Sequence, residues 1–154
     1  SSFFEERLAK KFRKSIPVEV VTLDRIAKQE GWLEPSGPPI YLLKVDVEGF
    51  ESFVFKGGKG LLRSGRVSNI IMENSSFDPH HVTSVLSAIY VAGFRVHMLL
   101  NVNGDPYHPE MITQINQAIE TIPSLPKEFV LDDCGEDIKF LVKVLFNIWW
   151  VKAT

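Results

Sequence analysis

Seven residues constrain this chain more than any others. Tyr41 to Val47 form an apolar run that carries Lys44 and Asp46 at alternate positions. A period of two belongs to a β-strand. A strand this apolar is typically covered on both faces, as in a parallel sheet. Glu48 and Gly49 follow at once, and then an amphipathic segment, 51–62, in which Gly57 and Gly58 interrupt a helical pattern. Strand therefore passes almost directly into helix. Lys44, Asp46 and Glu48 stand at the strand's carboxyl end, where open α/β sheets take their ligands.

The rest of the chain repeats the alternation. VEVVTLD (18–24) reads as a short β-branched strand, with Thr22 or Asp24 as cap of a helix that ends at Gly31. Residues 66–74 read as a second buried strand. A helix over 78–93 has Asp78 as N-cap, Pro79 at its first position and Gly93 as its stop. Residues 94–100 form a third strand, Pro109 to Ile122 a further helix, and residues 144–153 a last strand. Phe3, Phe4, Leu8 and Phe12 suit one face of an opening helix. Strands alternating with helices predict an α/β sheet with crossover helices. The 154 residues suffice for one domain with a core.

Charge and cysteine content narrow the function. The 17 basic and 19 acidic residues give a formal net charge of -2, which argues against a nucleic-acid partner. The local cluster Lys10, Lys11, Arg13 and Lys14 reads as a solvated helix face. Cys134 is the single cysteine, so no intrachain disulfide forms and a reducing compartment is allowed. No apolar run is long enough to span a bilayer. A soluble, cytoplasmic protein is expected. The sequon Asn74-Ser75-Ser76 directly follows a strand and reads as chance.

Three readings compete for Asp46: capping the next helix, pairing with Lys44, or facing a ligand. Glu48 and Glu51 fall in the first helical turn, where the helix dipole favours negative charge. Gly49 suggests a close backbone approach at that turn. Glu73 and Asn74 end the neighbouring strand. Asp46, Glu73 and Asn74 are thus candidate oxygen ligands for a hard cation such as Mg²⁺, against a hydrogen-bonded cluster without metal. His108, in a loop, is a candidate base. KGGKG (56–60) lacks the spacing of a phosphate loop. His80 and His81 are adjacent on a helix, point apart, and form no metal pair. His97 reads as a sheet-face histidine. Trp149 and Trp150 alternate, one to the core and one to a covered face.

VEVVTLDRI, then YLLKVDVEGFESFVFKGGKGLL, then VSNIIMEN resemble, in order, blocks of the FkbM family of S-adenosylmethionine-dependent methyltransferases. The Gly93-Phe94 corner and the final FNIWWVK are similar to that family's carboxyl end. The resemblance implies a class I methyltransferase (Rossmann-like) sheet. Residues 41–47, 67–73 and 94–100 would be its strands four to six. The last strand would be the antiparallel seventh, inserted between the fifth and sixth. It implies S-adenosylmethionine as cofactor and a hydroxyl-bearing small molecule or sugar as acceptor. Asp46, Lys44 and His108 become catalytic candidates. Asp46, Glu48 and Gly49 become cofactor contacts, and Asp46, Glu73 and Asn74 match positions where some relatives hold Mg²⁺.

One departure bears on activity. The family's glycine-rich loop after the first strand has no counterpart, since residues 1–40 contain no Gly-x-Gly. The chain, 1–154, is therefore expected to be the carboxyl-terminal part of one methyltransferase domain, with 101–143 shaping the acceptor pocket. Such a fragment binds the cofactor poorly or not at all. Strand four would be a bare apolar edge, open to self-association. The alternative is a non-catalytic α/β module that has lost the cofactor half.

Overall fold

The computed structural model describes residues 16–74, 78–101, 103–125 and 147–154, with Glu136 and Lys139. The expected opening helix (3–14), Cys134 and most of segment 101–143 beyond Leu125 lie outside the described residues. The elements are α1 (Leu23–Gln29), β1 (Ile40–Val45), α2 (Glu51–Gly57), α3 (Lys59–Arg63), β2 (Val67–Glu73), α4 (Pro79–Val91), β3 (Phe94–Leu100), α5 (Pro109–Thr121), a 3₁₀ turn (Ile122–Ser124) and β4 (Asn147–Lys152).

The sheet runs β1-β2-β4-β3. β1 and β2 are parallel, and β4 is antiparallel to both of its neighbours. The inserted antiparallel last strand is thus observed. Ile70 pairs with Leu43 and Trp150, and Trp150 with Val96. Ile70, Met72, Trp150, Ile148, Val96 and Leu99 are buried on the face that the helices cover. Helix α4 supplies Val82, Val85, Leu86 and Ile89, one stripe at helical spacing. Trp150 and Phe55 are among the largest fully buried side chains. Truncating either to alanine costs about 3–5 kcal/mol.

Two strand expectations need correction. Residues 18–24 are not a strand: 16–22 carry no ladder, and Val18 and Val20 are exposed. β-branched residues favour extension, but a strand requires a partner, and β1 pairs only with β2 among the described residues. Nor is β1 buried on both faces. Val45 alone is fully buried, while Tyr41 is 77% exposed and Leu42 46%. β1 is an apolar edge strand. On the opposite side of the sheet, Asn69 accepts from Trp149 Nε1 at 3.0 Å and donates to Tyr41 O at 2.9 Å. That side chain ties β1, β2 and β4 together.

The helix caps follow from the sequence. Thr22 caps α1, accepting from Arg25 N, and Asp78 caps α4, accepting from His80 N. Asp24 does something else. Its two oxygens accept from Gly60 N and Leu61 N, both at 2.8 Å, thirty-six and thirty-seven residues away. The start of α1 thereby caps α3, which has no cap of its own. The glycines of KGGKG make room for this. A β-carbon on Gly57 would sit 3.3 Å from Thr22, on Gly58 2.8 Å from Leu23, and on Gly60 2.9 Å from Asp24. Thr-Leu-Asp and Gly-Gly-x-Gly are the two halves of one packing contact.

β3 carries a bulge. Val96 pairs with Trp150 and Met98 with Trp149, leaving His97 as the extra residue. Asn116 of α5 satisfies the Val96 backbone on both sides, accepting from its N–H and donating to its carbonyl, each at 2.9 Å. His97 is exposed and meets the Trp149 ring edge-on at 4.6 Å.

Candidate functional site

β1 ends at Val45, two residues earlier than the pattern suggests. Asp46 and Val47 have left the ladder, and the chain turns sharply before α2. Glu48 has φ +52 and Gly49 φ +96, two consecutive residues in left-handed backbone. For glutamate this costs roughly 1–2 kcal/mol. No protein atom lies within 4 Å of a β-carbon built on Gly49. The positive φ accounts for a glycine here, and no protein atom makes the close approach that the sequence suggests.

Of the three readings for Asp46, the ion pair is the one observed. Lys44 Nζ lies 3.2 Å from Asp46 Oδ2, and both side chains reach solvent. Asp46 does not cap α2, whose N-cap, Phe50, makes no side-chain cap bond. Glu48 is exposed beside the pair.

Glu51, which the sequence marks only as a first-turn acid favoured by the helix dipole, has a larger part. It is fully buried, at 0% exposure. Its Oε1 accepts from Gly49 N at 3.0 Å, and its Oε2 lies 3.1 Å from His81 Nε2 in the first turn of α4. One carboxylate so pins the β1–α2 turn to the next helix. The signal was present: Glu51 and Phe55 are four residues apart, on the face of α2 that faces the core. His81, half-buried, is the partner that makes such a burial tolerable. On the outer side of the turn, Phe50 and Phe53 are exposed and tilted against each other at 6.0 Å.

The remaining candidates are only partly brought together. β1 and β2 are adjacent, with Val45 opposite Met72. Both of these are buried, and Asp46 and Glu73, the next residue on each chain segment, are exposed. Asn74 is buried where Glu73 is exposed, so the two leave β2 on opposite sides. Asp46, Glu73 and Asn74 do not form one ligand set. Among the described residues, no group of three or more His, Cys, Asp and Glu is placed to hold a metal. Buried Asn74 also fits its reading as a chance sequon. His108 is exposed at the N-cap of α5, just after β3. β3 lies three strands from β1 in the sheet, so His108 and Asp46 follow strands that are not neighbours.

No curated protein and no solved structure matches the chain. No helix among the described residues is long and apolar enough to cross a membrane. The sequence model of the methyltransferase FkbM domain matches residues 1–119, which takes in the Thr-Leu-Asp contact, the β1–α2 turn and β2. The chain belongs to the FkbM methyltransferase family.

Proposed function

We propose that the chain is the carboxyl-terminal part of an S-adenosylmethionine-dependent O-methyltransferase domain that acts on a hydroxyl of a small molecule or sugar. The observation that carries the reading is the solvent-facing Lys44–Asp46 pair at the end of β1, beside a turn held in left-handed backbone. Such a turn needs a reason, and among the described residues the fold uses the Asp46 carboxylate only in an exposed ion pair and gives that of Glu48 no hydrogen-bond partner. Those carboxylates suit the ammonium or ribose hydroxyls of the cofactor, and the open backbone at Gly49 leaves it room. When bound, the cofactor supplies the methyl group. Asp46 would take the proton from the acceptor hydroxyl at a carboxylate oxygen, with Lys44 holding that carboxylate in place. Glu51 and His81 would fix the turn that presents both. With Asn74 turned away, the trio does not fit Mg²⁺, and no step is derived through a metal.

Residues 1–40 carry no glycine-rich loop, so the cofactor would rest here on one half of its site. Calorimetric titration of S-adenosylmethionine into this chain, and into a longer protein with a glycine-rich strand–loop–helix upstream, tests the reading. Weak or absent binding to the chain and saturable binding to the longer protein are expected. Tight binding to the chain alone would overturn the division of the site. Absence of binding to both would favour a non-catalytic α/β module. Self-association along the free edge of β1 belongs to the same proposal, and a dimer lost on Leu42→Lys would support it.

A further inference from the structure

On the helix-covered side of the sheet, away from the Lys44–Asp46 pair, α2 and α3 face α4 across a cleft of about 530 Å³. That is the size of a small-ligand site. One wall carries Lys56, Lys59 and Arg63. Lys56 lies in the last turn of α2, and Lys59 and Arg63 lie four residues apart on α3, so the two helices together bring three cations to the cleft. The opposite wall, on α4, presents the small residues Ser84, Ser87 and Ala88. Phe53, Leu62 and Val91 give the cleft an apolar lining.

The charge of this wall is unusual for the molecule. The chain as a whole is acidic, with a net charge of -2, yet among the described residues the cleft lining has three cations and no carboxylate. Among the described residues none of the three makes an ion pair, whereas Lys44, Arg25 and Lys139 each do. Three like charges gathered at one cleft repel one another, which disfavours the fold slightly and favours an anion. Hydroxyls from Ser84 and Ser87 add donors on the far side. Val91 and Phe53 are 51% and 67% exposed and would lose water on binding an apolar body.

We propose that this cleft is a binding site for a soluble organic anion that joins a phosphate-like group to an apolar body. The anionic group lies against Lys56, Lys59 and Arg63, and the body covers the exposed Val91 and Phe53. Ser84 and Ser87 donate to the group's remaining oxygens. The inference does not rest on methyl transfer, and its test needs no cofactor.

Phenyl phosphate is the probe, titrated into the chain and followed by calorimetry and amide chemical shifts. Saturable binding is expected, with shifts confined to residues 52–63 and 84–92. Affinity is expected to fall about tenfold or more in Lys59→Ala/Arg63→Ala. Ala88→Leu, which fills the cleft and keeps its charge, is expected to weaken binding similarly. A thermal midpoint within a few degrees of the parent shows that either variant has kept the fold. Inorganic phosphate and benzyl alcohol are each expected to bind at least about tenfold more weakly than phenyl phosphate. Inorganic phosphate binding as tightly as phenyl phosphate would overturn the proposal, because the apolar lining would then contribute nothing. So would phenyl phosphate that binds both variants like the parent, or does not bind. Sedimentation with phosphatidic acid vesicles in the absence of phenyl phosphate binding would assign the cations to a lipid surface and equally overturn it.

Discussion

Two acidic motifs in this chain have opposite fates. In Thr22-Leu23-Asp24 every side chain is used by the fold. Thr22 caps α1, Leu23 packs over Gly58, and Asp24 caps α3 from a distance. In Asp46-Val47-Glu48-Gly49-Phe50-Glu51 only the last acid is used this way. Glu51 is buried and bonded at both oxygens, whereas Asp46 and Glu48 face solvent at a turn whose backbone is strained. The difference separates acids that build the fold from acids the fold merely presents. Sequence alone shows the two motifs as alike.

The largest effect that sharpens this contrast is expected at Glu51. Glu51→Ala leaves Gly49 N and His81 without their partner inside the protein, and chemical denaturation is expected to show a loss of about 3 kcal/mol. A loss under about 1 kcal/mol would mean that the turn stands without its pin. Next come the two halves of the α1–α3 contact. Asp24→Ala is expected to cost about 1–2 kcal/mol, the range for a lost helix cap. Gly60→Ala, whose β-carbon would meet Asp24 at 2.9 Å, is expected to cost about 1–3 kcal/mol. The double variant is the sharper measurement. If the contact is shared, the cost of Gly60→Ala shrinks when Asp24 is already gone; strict additivity would break the account. A smaller effect of opposite sign is expected at the presented turn. Glu48→Gly relieves left-handed backbone and is expected to stabilise by about 1 kcal/mol.

Much of the architecture was legible because it rests on local signals. Asp78, Pro79 and Gly93 mark both ends of α4, and β3 occupies the expected 94–100. The break at Gly57 and Gly58 splits the second helical segment as its glycines indicate. Non-local features were not legible. VEVV has the composition of a strand but no neighbour to pair with among the described residues, and pairing is decided by the sheet, not by the segment. Asp24 reads as a cap for its own helix because the helix it caps lies thirty-six residues further on. Glu51 reads as a surface acid favoured by the dipole, since nothing local reveals His81 beneath it. At the site, the position of Asp46 followed from the strand-to-helix passage. The face-splitting of Glu73 and Asn74 followed only from register and burial.

The central claim is that Asp46 is presented for chemistry and not needed for folding. It is tested most directly by Asp46→Asn, measured two ways in a methyltransferase-competent protein that contains this chain. Unfolding free energy is expected to change by less than about 1 kcal/mol, since an exposed ion pair contributes little. Methyl transfer to a hydroxyl acceptor is expected to fall by a factor of about 100 or more, the scale of a lost general base. Turnover equal to the parent's, or a loss of activity that tracks a loss of stability, would contradict the account.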